Sequence, residues 1–436
     1  MTTIYAIAGF IMILLFIVLV MSGRVSPTIA FLAIPLVAAL CLGFSLEDTT
    51  SYITEGLKSV LSTTTMFVFA IIFFSIMSDA GVFNVIVGKL VKIAGRNVTL
   101  ICAMTVIITV VGQLDGSGAT TYLITIPPLY AIYKKMNIRP VILMCLVSLT
   151  AGVMNMVPWG GPAGRVAGGL GLDAGGLWVS CIATQAFGVF LLILLSIYFA
   201  RSEMKRGQLN STAEIMENSE EMSEEKKKLL RPDLFWFNVL LILVILGAMV
   251  FIKLSPFIAF MGGTAIAMTV NYPKLKDQNE RMKSYAPSCM SLAAMLLASG
   301  AFIGVMSKSP IMDSMVQVVI EVLPVSIAPH LHVLFATITN PLQVLGVSQT
   351  ATAYNILPII SEITGQYGIT PLQVGISWLV AVCPPCFVSP NTAAMYLGLG
   401  LCDVELKDHI KMSYKWSLLI SLALLVFVVV TGIVPF

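Results

Sequence analysis

Ten long apolar runs dominate this sequence. They are 3–22, 26–43, 62–79, 140–157, 176–200, 234–254, 256–273, 289–306, 371–388 and 413–434. Each approaches the roughly 20 residues that a helix needs to cross a bilayer. Charged residues make up 11% of the chain, whereas a soluble domain has about 25%. Because lipid cannot pair backbone polar groups, the sequence predicts an all-α polytopic membrane protein with the bilayer as its main partner.

Two further pairs of apolar runs are shorter and interrupted. They are 98–112 with 119–133, and 328–341 with 349–363, and a stretch rich in Gly, Ser and Thr splits each pair. Short, interrupted hydrophobic segments at corresponding places in two halves are typical of a transporter's binding site. The sequence therefore predicts two re-entrant hairpins, at 98–134 and 328–364.

The two halves of the chain repeat each other. SGATTYLITIP from Ser117 and SQTATAYNILP from Ser348 begin 231 residues apart, as do Pro140 and Pro371. The same shift maps the run at 3–22 onto 234–253, and GLGL recurs at 169–172 and 398–401. We therefore divide the chain into a first repeat at 1–200, a polar linker at 201–233 and a second repeat at 234–436.

Each repeat contains five crossings plus one hairpin that returns to its starting side. Five is odd, so the repeats are predicted to be inserted in opposite directions. With the N-terminus outside, 21 of the 25 Lys and Arg residues fall in cytoplasmic segments, and only Lys58, Lys253 and Lys308 lie outside. This satisfies the positive-inside rule. It places both termini on the extracytoplasmic side of the cell (cytoplasmic) membrane and the linker in the cytoplasm.

Four polar segments interrupt the apolar pattern. Two are the first and second hairpin tips, at 113–121 and 346–352, and two are the first and second helix breaks, at 155–162 and 383–392. Non-helical backbone at membrane depth is tolerated only where protein or a polar cavity satisfies it. Free N–H groups at helix ends suit carboxylates, and free carbonyls and hydroxyls suit cations. The predicted substrate-binding residues are Ser117, Gly118, Thr120, Thr121, Asn155, Pro158, Gly160, Gly161, Arg165, Ser348, Gln349, Thr350, Ser389, Asn391 and Thr392. The predicted residues for a coupling ion or proton are Asp115, Ser117, Asn155, Ser348 and Thr352.

Asp115 and Arg165 are the clearest charges at membrane depth. Such charges are costly and usually mark function. Arg165 could bind a substrate carboxylate through two parallel hydrogen bonds, and Asp115 could bind the coupling cation or proton. Alternatively, the two residues could pair with each other and hold the fold.

At these motifs the chain resembles the citrate–metal:proton symporters, the CitMHS family of the ion transporter superfamily. The resemblance covers LDGSGATTYLI from Leu114, GVMNMVPWGGP from Gly152, and then Arg165. The second tip, at 348–350, is similar to the Ser-Asn-Thr tip of the related divalent-anion:sodium symporters. The resemblance implies a homodimer whose mobile transport domain moves against a fixed scaffold as an elevator. It also implies citrate or a related carboxylate as substrate.

The chain departs from the family pattern at two acids. Ser117 stands where the family has a second Asp in the first tip, and Thr350 stands where it has an Asp in the second. The transported form therefore stays open between the free anion and its complex with a co-transported divalent metal. The coupling ion stays open between H⁺ and Na⁺.

The leading hypothesis is a secondary active transporter that imports citrate or a related di- or tricarboxylate by cation symport. The alternative is a cation/proton antiporter without an organic substrate, against which Arg165 argues because a cation near the site opposes cation binding. No known catalytic motif occurs in surroundings that would support an active site, so we expect no catalytic activity, no cofactor and no nucleic-acid partner.

The sequence favours neither a metal site nor a histidine relay. Cys383 and Cys386 have redox-like spacing, but three histidines and no second thiol pair leave a metal site incomplete. We expect His330, His332 and His409 at the surface, and Trp159 either lining the cavity or anchoring the packing.

The charge distribution makes a prediction about the linker. A cysteine at Ser219, in a chain whose eight native cysteines are replaced, should react with a membrane-impermeant maleimide only after the cells are permeabilised. A cysteine at Thr2 should react in intact cells. Labelling of the Ser219 position from outside intact cells would overturn the predicted topology.

Overall fold

The computed structural model describes residues 2–22, 24–94, 97–207, 228–252, 254–322, 324, 326–345, 347–390 and 392–436. Within these residues the secondary structure is helical, with no strand. The first half contains α1 (Thr2–Met21), α2 (Pro27–Cys41), α3 (Leu46–Asp79), α4 (Val82–Ala94), α5 (Val98–Gly112), α6 (Gly118–Lys135), α7 (Pro140–Met154), α8 (Gly161–Leu170) and α9 (Ala174–Arg206). The second half contains α10 (Phe235–Phe251), α11 (Pro256–Asn271), α12 (Leu275–Lys308), α13 (Ile311–Val322), α14 (Leu331–Val344), α15 (Gln349–Ala351), α16 (Leu357–Gly365), α17 (Pro371–Val382), α18 (Ala393–Cys402) and α19 (Leu406–Val430).

Six of the described helical segments are long and apolar enough to cross a membrane. They are Leu46–Asp79, Val98–Asp115, Ala174–Arg206, Pro232–Met249, Leu275–Lys308 and Leu406–Val430. Five shorter apolar helices also match predicted runs, and they begin at Thr3, Pro27, Pro140, Pro256 and Pro371. The chain is therefore an all-helical, multi-pass membrane protein.

Two helices extend well beyond the apolar runs that predicted them. α3 begins at Leu46 and α12 begins at Leu275, so each has 34 residues. Ser45 caps α3 by accepting a hydrogen bond from the Asp48 backbone N–H at 3.0 Å. The apolar runs predicted the hydrophobic portions of both helices but not their polar first turns. In α3 the serine N-cap, rather than the burial of apolar side chains, sets where the helix starts.

Each predicted hairpin contains two helical arms joined at a polar tip. A 3₁₀ turn at Gln113–Asp115 joins α5 to α6. In the second hairpin α15 leads into a π-helical turn, Thr352–Ile356, and then into α16. The corresponding stretch of the first hairpin is a regular α-helix, so the π turn is specific to the second half.

The two predicted broken helices are discontinuous in the structure. α7 ends at Met154 and α8 begins at Gly161, while α17 ends at Val382 and α18 begins at Ala393. Both first halves begin with proline at the N-terminal turn, where its missing N–H costs nothing. The helices end where the breaks begin, so the apolar runs at 140–157 and 371–388 overestimated their lengths.

The helices pack in two groups. One group contains α1–α3 and α11–α13, and the other contains α5–α9 and α14–α19. At the centre of the first group, α3 crosses α12 where Gly56 meets Gly300 and Gly304. Small residues let membrane helices approach closely and gain van der Waals contact. This crossing forms part of the framework against which the other group lies.

A buried carboxylate anchors the start of α7. Glu203 on α9 is fully buried and accepts hydrogen bonds from Arg139 Nε at 2.7 Å and from the Arg139 backbone N–H at 3.2 Å. Arg206 Nη2 lies 3.2 Å from the other side of the same carboxylate. Since Arg139 immediately precedes α7, this cluster fixes the helix whose far end forms the first break.

The surface prediction for the histidines is wrong for two of the three. His332 is 2% exposed and His409 is fully buried. The Nε2 atom of each ring lies within hydrogen-bonding distance of a backbone carbonyl, Pro435 O at 2.9 Å and Phe387 O at 3.1 Å. A neutral imidazole with such a partner can be buried at little cost.

The α3–α12 crossing generates a stability prediction. A Cβ at Gly56 would collide with the Gly300 carbonyl and lie 2.6 Å from Gly304 Cα, and backbone cannot move aside as a side chain can. Gly56→Ala should therefore lower the melting temperature in detergent, with overpacking costing about 1–3 kcal/mol. Gly262→Ala is the control, because nothing lies within 4 Å of its added Cβ. Equal melting of both variants would contradict the close crossing.

Candidate functional site

The first tip is a tight turn with its polar groups bonded locally. The Asp115 carboxylate accepts a hydrogen bond from the Ser117 backbone N–H at 2.8 Å, and Ser117 Oγ accepts one from the Thr120 N–H at 3.4 Å. Gly116 between them has φ 71°, a conformation that favours glycine. Its Cα also faces Trp159, with the Trp159 carbonyl 3.0 Å from an added Cβ. This turn therefore requires glycine.

The second tip repeats the local construction of the first. Ser348 Oγ accepts a hydrogen bond from the Ala351 N–H at 3.4 Å, as Ser117 does from Thr120. Thr352 donates to the Ser348 carbonyl at 3.0 Å, and Thr121 Oγ1 lies at the matching place, 2.9 Å from the Ser117 carbonyl. At each tip a helix therefore starts with a serine N-cap. In its first turn a threonine hydroxyl lies close to the carbonyl of that serine.

A chain of buried side chains connects the first tip to both breaks. Thr121 donates to Gln113 Oε1 at 2.6 Å, and Gln113 Nε2 donates to Asn155 Oδ1 at 2.8 Å. Asn155 Nδ2 then donates to Cys386 Sγ at 3.4 Å. These bonds fix the orientation of both amides and join the two halves of the chain.

The second tip is bonded to Arg165 on α8. Arg165 Nε donates to Thr350 Oγ1 and Arg165 Nη1 donates to Gln349 Oε1, each at 3.1 Å. Within the described residues, no carboxylate lies within ion-pairing distance of Arg165. The guanidinium thus has neutral partners in a half-buried position, and the direct Arg165–Asp115 ion pair considered from the sequence is not seen there.

Two contacts join residues that are 231 positions apart in the sequence. Asn155 and Cys386 are 231 positions apart and hydrogen-bonded. Gly152 and Cys383 are also 231 apart, and a Cβ at Gly152 would lie 2.5 Å from the Cys383 carbonyl. The two halves of the chain therefore meet at the two helix breaks.

The first break packs closely around Asn155 and Arg165. An added Cβ at Gly160 would collide with the Asn155 carbonyl, and one at Gly161 would lie 3.0 Å from Arg165 Nη1. Pro158 is buried in this turn. Trp159 is 4% exposed and donates to the Leu114 carbonyl at 2.7 Å. Of its two predicted roles, Trp159 therefore takes that of a packing anchor, which also holds the first tip.

The second break is held by two hydroxyl groups. Ser389 donates to the Gln343 carbonyl at 2.8 Å, and Thr392 donates to the Cys386 carbonyl at 2.5 Å. Gly118 of the first tip packs against the Phe387 ring, with the Ala394 methyl 3.2 Å from an added Cβ. Asn391 lies outside the described residues. The first tip thus contacts the second break, as well as the first.

Sequence reasoning missed two residues of this network as site residues. Gln113 was part of the predicted tip, but nothing distinguished it from a neighbouring polar residue. Cys386 was noted only for its redox-like spacing from Cys383, and both are free, buried thiols. The 231-residue offset mapped Cys386 onto Asn155 and could have predicted their contact.

Two cavities help to delimit the site. A cavity of about 10 Å³ beside the second tip is lined by Gln343, Gln349 and Trp378, among others; it has room for about one water and is too small for a tricarboxylate. A cavity of about 620 Å³ lies elsewhere, between Arg139 at the start of α7 and Lys411 and Lys415 on α19. It contains none of the tip residues.

Comparison with known proteins identifies the class of protein. The model of the family "CitMHS: Citrate transporter" matches residues 16–383. The "Citrate transporter" of Bacillus subtilis (strain 168) is 32% identical over 431 residues, which cover 99% of this chain and 100% of that protein. The "Mg(2+)/citrate complex secondary transporter" of the same organism is 31% identical over 417 residues, which cover 95% of each chain.

Solved transporters share the fold. The Alcanivorax borkumensis YdaH transporter superposes with a TM-score of 0.62 at 15% identity, covering 90% of this chain and 91% of that one. Neisseria gonorrhoeae MtrF gives a TM-score of 0.53 at 14% identity, covering 89% and 83%. Because the matching family and both curated relatives are transporters, the chain is a multi-pass membrane transporter and not an enzyme. With the family model matching residues 16–383 and the relatives aligned over nearly its full length, the chain belongs to the CitMHS citrate transporter family.

Proposed function

We propose that this chain is a secondary active transporter that moves citrate, or a related di- or tricarboxylate, across the cytoplasmic membrane by cation-coupled symport. The observation that carries the proposal is the half-buried Arg165 guanidinium, held at the second tip by Gln349 and Thr350. Both full-length relatives have citrate in their names. A substrate carboxylate would supply the negative charge that this guanidinium lacks among the described residues.

The anion-binding chemistry comes from the two tips together with Arg165. Helix N-termini present free N–H groups and a positive dipole end to a carboxylate. Ser117 and Ser348 start such helices, and Thr120 and Thr350 add hydroxyl donors. A planar guanidinium can bind a carboxylate with two parallel hydrogen bonds. We therefore assign Ser117, Thr120, Ser348, Thr350 and Arg165 to the substrate.

The coupling ion, H⁺ or Na⁺, is assigned to Asp115 and its neighbours. Asp115 is a half-buried carboxylate whose Oδ1 accepts a hydrogen bond from the Ser117 N–H, and a carboxylate has further lone pairs that can take a proton or a cation. Ser117, Asn155, Ser348 and Thr352 supply the other candidate oxygen ligands. Charge neutralisation by the ion would reduce the cost of burying an anionic substrate.

The mechanism that we propose is an elevator acting within a homodimer built from two inverted repeats. The contacts of Gly152 with Cys383 and of Asn155 with Cys386 support a pseudo-two-fold axis through the site. The separate packing of α1–α3 with α11–α13 supports a fixed scaffold. The group α5–α9 with α14–α19 contains both tips and both breaks, and would move as the transport domain.

Citrate uptake by purified protein in liposomes tests the proposal. Uptake should depend on an imposed H⁺ or Na⁺ gradient, and parallel measurements with and without Mg²⁺ separate the free anion from its complex. Arg165→Lys keeps the charge but loses the planar fork, so it should raise the apparent KM for citrate about tenfold or more, equivalent to at least about 1.4 kcal/mol.

Arg281→Lys is the matched control, because Arg281 pairs with Asp79 at 3.2 Å, away from the tips. It should transport with a nearly unchanged KM. Absence of citrate uptake under either gradient, with or without Mg²⁺, would refute the proposed function. A normal KM in Arg165→Lys would remove Arg165 from the substrate site.

A double-mutant cycle on the charges tests their separate roles. Because Arg165 and Asp115 have different partners in the structure, the effects of Arg165→Ala and Asp115→Asn on stability should add to within about 0.5 kcal/mol. Asp115→Asn should change the ion or pH dependence of uptake. Rescue of the melting temperature in the double variant would instead reveal a structural ion pair.

A further inference from the structure

His409 is a buried residue near the second break with both ring nitrogens engaged. It is fully buried on α19, with Nε2 3.1 Å from the Phe387 carbonyl and Nδ1 3.1 Å from Ser413 Oγ. A carbonyl can only accept, so Nε2 carries the proton and Nδ1 accepts from the serine hydroxyl. The ring is therefore a neutral donor aimed at a backbone group that lies outside any helix.

The residue that His409 holds reaches across to the first tip. The Phe387 ring lies against Gly118, where an added Cβ would collide with it. It also packs edge-to-face on Tyr122, with ring centroids 5.8 Å apart and an interplanar angle of 85°. Tyr122 is itself fixed by a 2.7 Å hydrogen bond with Ser148. The Phe387 ring thus extends from the second break and packs against the helix that starts at the first tip.

A similar arrangement occurs in the other half of the chain. Gln185 on α9 is 7% exposed, and its Nε2 donates to the Met154 carbonyl at 3.2 Å. Met154 ends α7 at the first break, so its carbonyl too has left the regular helical pattern. In each half, a buried side chain on the last helix holds the break in the preceding one. The recurrence with a different residue type argues that the hydrogen bond itself is needed.

We propose that His409 is a positioning residue for substrate binding: by holding the Phe387 carbonyl, it sets the Phe387 ring against Gly118 and so fixes the first tip. This inference rests on the proposed function, since it assigns the first tip to the substrate. His409 itself touches no substrate. It acts on affinity, because a tip that is not held in place must be ordered each time the anion binds.

Three substitutions isolate the hydrogen bond. His409→Leu removes the donor, whereas His409→Gln places an amide N–H near the position of Nε2. His409→Asn retains an amide that is too short to reach Phe387. Because a lost buried hydrogen bond costs roughly a factor of ten or more, His409→Leu and His409→Asn should raise the KM for citrate about tenfold. The maximal rate should stay within about twofold, and His409→Gln should restore most of the affinity.

His332→Leu is the matched control. His332 is buried and its Nε2 lies 2.9 Å from a backbone carbonyl, that of Pro435, but this carbonyl is remote from the tips. The control should lose stability to a similar extent and keep the wild-type KM. An equal rise in KM for both histidine variants would show a general structural effect and overturn the proposal.

Amide hydrogen exchange gives a readout that does not depend on citrate. In His409→Leu, exchange should accelerate about tenfold in peptides covering 113–121 and stay unchanged in those covering 347–352. Unchanged exchange at 113–121, or equal acceleration at both tips, would overturn the positioning role. If the wild-type protein fails to transport citrate, the proposed function fails, and the exchange pattern still decides whether His409 holds the first tip.

Discussion

Irregular backbone at membrane depth is the constraint on which the rest of this structure depends. Each N–H or carbonyl that leaves a helix inside the bilayer must find a partner within the protein. Here side chains supply many of those partners. Trp159 donates to the Leu114 carbonyl, Ser389 to the Gln343 carbonyl, Gln185 to the Met154 carbonyl and Thr392 to the Cys386 carbonyl. Many of the polar residues around the candidate site therefore hold the backbone.

The sequence predicted those features of the site that have a local cause and missed those that depend on residues far along the chain. The tips and breaks were predictable because glycine, proline and serine act locally, and the structure ends α5, α7 and α17 close to the predicted positions. The burial of His332 and His409 was not predictable, since it depends on carbonyls 103 and 22 residues away. The early starts of α3 and α12 were missed for another reason: polar first turns give no hydropathy signal, and the start of α3 is marked only by its local serine cap, Ser45.

Symmetry and asymmetry contribute differently to the site. The two tips share a serine cap and a threonine four residues later, and equivalent residues meet at Gly152 with Cys383 and at Asn155 with Cys386. The charges Asp115 and Arg165 and the π turn at Thr352–Ile356 each occur in one half only. The matched contacts satisfy backbone groups in both halves, while the two charges occur in one half only and, in the proposed function, one serves the anion and the other its coupling ion.

In the proposed transporter, both tips and Arg165 form one substrate site. A structure of the protein with bound citrate, determined by electron cryomicroscopy in lipid nanodiscs, would show where the anion binds. We expect citrate within hydrogen-bonding distance of the Arg165 guanidinium and of both serine-capped tips, at 117–120 and 348–350. Citrate bound instead in the cavity lined by Arg139, Lys411 and Lys415, or in contact with one tip alone, would contradict it.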